Sequence, residues 1–472
     1  MRARYITTTL PYVNADPHLG HALEFVEADC LARAARLTGD EVFFNIGTDE
    51  HGAKIAQKAE SEGKTPQVYA DEYAARFKTF ANRLAISYDS FIRTTDAAHM
   101  RVAQEFWKRC EAAGDIYKAE HEIKYCVGCE LEKTDSELVD GCCPLHQNLK
   151  IEIRKEENYY FRFSKYQDAL LKQYKTQKDF VVPAERMHEI TTFVAAGLKD
   201  FSISRRKEKL AWGIPVPWDE EHVMYVWFDA LVNYVSVIGW PEDEERFKKW
   251  WPAIQLAGKD NLRQQTAMWQ AMLMSAGLPV SQQIFIHGFI TSEGKKMSKT
   301  LGNVIDPLAL VEKYGSDAVR YVLLRHMSPF EDSDLTLEAF HDHYTAHLTN
   351  GLGNLVARVM KLAETHLSEP IQKPEVTPFP QEYWNMLNAF EFNRAMDWVW
   401  ERIQRLDERI TREEPFRLVK EDAEKGRALI AEMVTELYQI GRFLNPFMPK
   451  TNEIIKETVL ENKKPENLFP RL

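Results

Sequence analysis

No stretch of this 472-residue chain approaches the ~20 consecutive apolar residues that a membrane-spanning helix needs. The opening Met1-Arg-Ala-Arg-Tyr-Ile-Thr-Thr-Thr9 lacks an apolar h-region and a small-residue cleavage site, so no signal peptide is read there. A cytoplasmic protein without membrane contact is the expectation. Excess positive charge is also missing. The 60 Lys and Arg are outnumbered by 71 Asp and Glu, a formal net charge of −11, which argues against a general nucleic-acid coat protein. It does not exclude a protein that reads one RNA through local patches, because net charge describes only the average field. Cysteine is scarce. Of six, Cys126, Cys129, Cys142 and Cys143 crowd into one segment, which points to metal and not to a disulfide scaffold. Internal repeats and low-complexity tracts are absent. What remains is ordinary globular composition, 44% hydrophobic and 28% charged, in a chain too long for one core; about two to four domains are expected.

The β-branched run Arg4–Leu10 reads as a buried strand, followed by the turn Pro11–Asp16. Asp16 and Pro17 suit the N-cap and first position of a helix that runs to about Leu37. Glu41–Ile46 is the next strand. Strand, helix, strand in so short a span is a βαβ unit, hence a parallel sheet whose ligands bind at the strands' carboxyl ends. Helical patterns fill roughly 54–114. Residues 115–183, with the cysteine cluster and aromatic strands, read as an inserted small domain; sheet character returns at Val223–Phe228 and Gln283–His287. From about 336 the pattern is helical, with Leu337–Glu364, Glu382–Ile410 and Ala423–Leu444 suggesting a bundle.

Three features carry chemistry. His18-Leu-Gly-His21 lies in the opening turn of the first helix, where unpaired N–H groups and the positive dipole end suit a triphosphate. Two histidines three apart share a face, and Gly20 removes a side chain that would block a flat base. Gly294-Lys-Lys-Met-Ser-Lys-Thr-Leu-Gly302 follows a strand and brackets a short loop with Lys296 and Lys299, cations able to follow charge on a transferring phosphoryl group. Cys126-Val-Gly-Cys129, thirteen residues, then Cys143-Pro-Leu-His146 supplies three thiolates and an imidazole, enough for a closed tetrahedral zinc. Cys142 adjoins the second pair and competes with Cys143 for the role.

The histidine tetrapeptide and the Lys-Met-Ser-Lys-Thr run, in this order and context, resemble the two signatures of class I aminoacyl-tRNA synthetases. The resemblance narrows to the methionyl-tRNA synthetase family at Thr9-Leu-Pro-Tyr-Val-Asn14, at Gly47-Thr-Asp-Glu-His-Gly52 and at Val226-Trp-Phe-Asp-Ala-Leu-Val-Asn-Tyr234. It implies a Rossmann-like, doubly wound α/β catalytic domain with a small zinc-binding insertion and a C-terminal helical bundle. The expected boundaries are 1–114 and 184–290 for the two catalytic halves, 115–183 for the insertion, 291–340 for the lysine loop and link, and 341–472 for the anticodon-binding bundle.

By the same resemblance Asp49 holds the ammonium of methionine, although it also suits a helix N-cap. Leu10, Tyr12, Trp227, Ala230 and Tyr234 surround the thioether, which packs well against aromatic rings. Gln265 stands where the family often has histidine, a departure that bears on fine selectivity. Gly258 and Asp260 match a segment that binds the ATP ribose, and His287 and Gly288 one near the adenine. Family members with a single knuckle use the cysteine directly before the proline, which selects Cys143. Asn354 and Arg358 match readers of the CAU anticodon, and Phe416 stands where the family has tryptophan; it keeps a stacking face but loses the indole N–H. The implied reaction is ATP-driven formation of methionyl-adenylate, then transfer to the 3′ end of tRNA(Met). His18, His21, Lys296 and Lys299 would contact the transition state, with Mg²⁺ on the phosphates and a structural Zn²⁺. No editing domain is expected, and a monomer is. The alternatives are the same reaction with another amino acid such as cysteine, a non-catalytic RNA-binding relative, and a different nucleotidyltransferase.

Overall fold

Ala3–Thr8, the first strand, lies near the centre of a six-stranded sheet. In spatial order the strands are Ser90–Arg93, Glu41–Thr48, Ala3–Thr8, Ile254–Gly258, Gln283–His287 and Val181–Val182, and all pair in parallel. The computed structural model describes residues 2–129, 131–133, 137–297, 304–375 and 378–472, with the backbone alone at 121–123, 131–132, 154, 156 and 296.

Both faces of the sheet are covered. Neighbouring strand residues point to opposite sides, so Ile6, Phe44, Leu256 and Phe285 enter one core while Tyr5, Phe43, Ala257 and Ile284 enter the other. The first core is shared with the helix Leu19–Leu37 and the C-terminal helices; the second is shared with 102–110, 228–240 and 267–276. This is the doubly wound α/β arrangement. Its strand order reverses between Ala3–Thr8 and Ile254–Gly258, the switch point beside which a ligand crevice opens.

The insertion is a long antiparallel pair, Ile116–Cys126 with Glu152–Phe161, extended by Leu131–Glu132 on one side and Phe201–Ser202 on the other. The chain dips back between them to add Val181–Val182 to the edge of the central sheet. The last described helices are Asn354–His366, Gln381–Asn388, Phe392–Glu413, Pro415–Glu421, Ala423–Leu444 and Pro449–Glu461.

Four local expectations change. The helical stretch 54–114 contains the edge strand Ser90–Arg93, too short to show a period of its own. Val223–Phe228 is not one strand: Asp219–Met224 pairs in a small antiparallel sheet, and Val226 opens a helix whose Phe228 and Leu231 enter the core. Glu382–Ile410 is split at Ala389–Glu391, where Phe390 takes φ +59° and stacks on Phe285 of the sheet at 4.5 Å. Finally, the first helix begins at Leu19 with His18 as its N-cap, because the Asp16 carboxylate is engaged by Arg76 at 2.7 Å instead.

Candidate active site

The N-cap of the first helix is built by its own histidines. His18 Nδ1 accepts from Gly20 N–H at 3.1 Å, and His21 Nδ1 accepts from His18 N–H at 3.3 Å, a reciprocal capping box. Each imidazole thereby has Nδ1 committed as acceptor, so when neutral it carries its hydrogen on Nε2 as a donor. The rings stack at 3.7 Å. Burial first, then His18 and His287, hold His21 well below the usual imidazole range, so it is neutral at pH 7. A Cβ at residue 20 would sit 3.0 Å from His18 Cε1; the glycine makes room for the capping ring.

Beneath this cap lies a pair the sequence analysis missed. Glu24, one turn beyond His21, accepts from Thr9 N–H at 2.7 Å and Thr9 Oγ1–H at 2.6 Å, and its second oxygen meets His287 Nε2 at 3.1 Å. His287 Nδ1 lies 2.8 Å from the Gly288 carbonyl, so both ring nitrogens donate and the ring is an imidazolium. Burial alone would lower its pKa; the hydrogen bond to Glu24 and the charges of Glu27 and Glu24 outweigh that and raise it to about 9. The i, i+3 spacing of residues 18, 21 and 24 on one helical face was the available signal.

Gly258 ends its strand against the same group. A Cβ there would lie 2.9 Å from Asp260 Oδ1 and 3.5 Å from His287 Cε1. At Gly288 a Cβ would collide with the backbone of Glu331. His18, Gly20, His21, Gly258, Asp260, His287 and Gly288 thus belong to one end of the sheet, around its switch point.

On the other side of the first strand, Tyr12 bridges Asp49 as sheet pairing continues past the strand ends, with Val13 N–H on Asp49 O at 3.1 Å and Asp49 N–H on Pro11 O at 2.9 Å. Leu10, Tyr12 and Trp227 are half-buried, Asp49 and Ala230 nearly fully buried. Tyr234 is buried, which pushes its phenol up, with Gln265, Asn233 and Gln255 beside it, and Gln255 Nε2 reaches Gln265 Oε1 at 3.4 Å. A buried carboxylate joins the two walls: Asp229 takes His51 Nδ1 at 2.8 Å and His99 Nε2 at 3.4 Å. None of these three was singled out from the sequence, where an Asp inside an apolar run gives no sign of its partners.

The knuckle gathers four ligand atoms within 4.8 Å of one another, from Cys126, Cys129, Cys143 and His146. Cys129 Sγ lies 3.3 Å from Cys143 Sγ and 3.2 Å from His146 Nδ1. Three sulfurs and one imidazole nitrogen so placed suit a tetrahedral zinc with bonds of about 2.0–2.3 Å. Gly128 is required here, since a Cβ would meet His146 Cγ at 2.3 Å. Cys142 lies outside the group; its backbone pairs with Val139. Lys54 donates to Gly128 O at 2.7 Å and Arg263 pairs with Glu137, so the knuckle rests on both rims of the crevice.

Lys299 lies outside the described residues, and Lys296 is described by its backbone, which pairs with Thr291. In the bundle, Asn354 and Arg358 are exposed one turn apart; Arg358 Nη1 meets Asp407 at 2.6 Å. Phe416, also exposed, opens the adjoining helix Pro415–Glu421.

Residues 4–151 and 146–360 match the family described as tRNA synthetases class I (M). The chain belongs to the methionyl-tRNA synthetase family. It is 40% identical over 463 residues to the methionine–tRNA ligase of Caldanaerobacter subterraneus, covering 95% of this chain and 72% of that protein. With the ligase of Rhizobium meliloti it shares 40% over 466 residues, 95% and 90% of the two chains. The structure of Mycobacterium tuberculosis methionyl-tRNA synthetase in complex with methionyl-adenylate superposes with a TM-score of 0.92 at 34% identity, over the whole of both chains. The apo form of that protein gives 0.84 at 31% identity, over 100% and 98%. Among the described residues no helix is long and apolar enough to cross a membrane. As a class I synthetase the chain is an ATP-dependent aminoacyl-tRNA ligase.

Proposed function

We propose that the groups at the switch point divide the work of methionine activation and transfer as follows. The chain activates methionine with ATP and passes the methionyl group to tRNA(Met). The observation that carries the division of labour is the meeting, at one end of the sheet, of a histidine-capped helix N-terminus, the Gly258–Asp260–His287 group and the Asp49 carboxylate.

Asp49 receives the ammonium, and Leu10, Tyr12, Trp227, Ala230, Tyr234 and Gln265 enclose the thioether. Asp260 accepts from the ribose hydroxyls of ATP, with Gly258 making room for its carboxylate, and His287 and Gly288 lie by the adenine. A methionine carboxylate oxygen attacks the α-phosphorus while the bond to the bridging oxygen breaks and pyrophosphate leaves. His18 and His21 donate from Nε2, and Lys296 and Lys299 add positive charge, to oxygens whose charge grows in the transition state. Mg²⁺ would be held chiefly by the phosphates and would offset their charge. In the second step a 3′-terminal ribose hydroxyl of tRNA attacks the methionyl carbonyl and AMP leaves. No side-chain nucleophile takes part.

Cys126, Cys129, Cys143 and His146 would hold a structural zinc, which would brace the insertion beside Lys54 and Arg263. Asn354, Arg358 and Phe416 meet the CAU anticodon. Every group named comes from one chain, so a monomer suffices, and reduced thiols fit a cytosolic compartment. The boundaries 114/115, 290/291 and 340/341 serve as working limits of these parts, whereas the chain crosses 183/184 twice, with Val181–Val182 in the central sheet and Phe201–Ser202 in the insertion's.

The test is isolation of the intermediate. Protein incubated with ATP, Mg²⁺ and methionine, then freed of small molecules, should retain methionyl-adenylate that added tRNA(Met) discharges as methionyl-tRNA. His21→Asn should slow formation about 10²-fold or more with the amount bound at saturation unchanged. Normal formation rates in that variant would remove His21 from the chemistry.

A further inference from the structure

A second group of ligating side chains lies far from the knuckle along the chain. His326 follows the helix Ser316–Arg325, while His343 and His347 flank the start of the segment Tyr344–Gly353. One ring nitrogen of each falls within 4.8 Å of the other two. The rings are parallel, His326 on His343 at 3.6 Å and on His347 at 5.3 Å. All three are half-buried, so the group is shielded and still reachable.

The backbone beneath it is unusual. Tyr344–Gly353 is ten residues of π-helix, a form that occurs mostly as single-turn bulges and often at functional sites. Its wider turn brings residues four apart closer to one line, so His343 and His347 face the same way. The segment continues directly into the helix that carries Asn354 and Arg358.

The surroundings position the imidazoles and balance their charge. Tyr321 OH lies 2.7 Å from His347 Nδ1 and 3.0 Å from His326 Nε2, and it accepts from Arg325 Nη1 at 2.7 Å. Arg325 is offset by Asp397 at 2.8 Å, and exposed Asp342 adjoins His343. Neutral imidazoles are the form that binds metal, and imidazole suits zinc, copper and nickel. His341 takes no part; it faces Tyr314 at 3.3 Å.

We propose that His326, His343 and His347 form a second site for a borderline dication of the zinc class, joining the end of Ser316–Arg325 to the π-helical segment that leads into the anticodon-facing helix. Three nitrogens on one zinc at about 2.0 Å lie about 3.3 Å apart, so binding would draw the ligand nitrogens together by up to about 1.5 Å and swing the rings from stacked to convergent. Three imidazoles leave one position for water. The ion would tie the body to the bundle at the place where the backbone departs from α-helix.

The experiment is zinc stoichiometry on the whole protein, purified zinc-replete and desalted, beside His343→Ala and His347→Ala. Wild type should hold one more zinc per chain than either variant, and added zinc should raise the unfolding midpoint of wild type alone. Methionine activation in metal-limited buffer should be unchanged in both. A third variant, His347→Cys, exchanges one ligand for another. It should keep the second metal and, loaded with Co²⁺, gain an additional thiolate charge-transfer band beyond that of the knuckle. Equal zinc content and equal zinc response in wild type and both alanine variants, with no new band in His347→Cys, would overturn the proposal and leave a stacking contact.

Discussion

The buried ionic pair under the histidine-capped helix shows how a single residue is legible in chemistry but not in sequence. His287-Gly288 was marked by its resemblance to the family's segment near the adenine, yet nothing near it in sequence announces Glu24, which fixes its charge from 263 residues away. The folded pKa of His287, about 9, exceeds its ordinary 6.5. A histidine raised in this way stabilises the fold fully below 6.5 and loses that contribution as pH rises through 9, on the order of 3 kcal/mol in all. Glu27, pushed up to about 8 by burial, acts with the same sign. The unfolding midpoint should therefore fall between pH 7 and 9.5, and His287→Asn should flatten the fall without abolishing it. A slope unchanged in that variant would remove the imidazolium from the account. At the pocket, Trp227→Ala should raise the KM for methionine about tenfold with little change in kcat, since it removes packing on a bound thioether. Pyrophosphate-exchange kinetics would show it, and an unaltered KM would make the ring part of the wall only.

Elements were read well where periodicity or spacing was long and poorly where neighbours decide. Ala423–Leu444 is one helix with the bounds its pattern indicates, and the parallel sheet follows from one βαβ unit. Ser90–Arg93 was lost because four residues cannot display alternation, and the true N-cap was lost because His18 caps through ring nitrogens outside the usual Ser, Thr, Asp and Asn. The knuckle's spacing was legible, since metal-ligand spacing is local, but the choice of Cys143 over Cys142 came from the family resemblance; what was not legible is that Lys54 and Arg263 clasp it from either rim. Cys129→Ser should cost the knuckle its zinc and open residues 115–160 to limited proteolysis while the remaining fragments stay folded. Digestion as slow as in wild type, with the Co²⁺–thiolate spectrum intact, would show that the four ligands are dispensable to the insertion.

At the scale of the molecule, one side chain does much to fasten the bundle to the body. Arg320 is fully buried, pairs with Asp29 at 2.7 Å, and donates to Phe447 O at 2.6 Å and Pro446 O at 2.9 Å. Arg320 and Arg33, with hydrogen bonds from Ser87, overcome burial and hold the Asp29 carboxyl below its usual range, so its contribution is present at neutral pH and lost on acidification. Arg320→Ala would leave Asp29 charged and buried, and should destabilise the protein by about 3–5 kcal/mol in denaturant titration. A loss below about 1 kcal/mol would mean that the apolar core alone unites the two parts.

The central claim, that the crevice at the switch point activates methionine, is tested most directly by amino-acid-dependent ATP–pyrophosphate exchange with purified, zinc-loaded protein, Mg²⁺ and each of the twenty amino acids in turn. Exchange with methionine, abolished in Asp49→Ala, is the result the account predicts. Exchange with a different amino acid, or with none from folded protein, would contradict it.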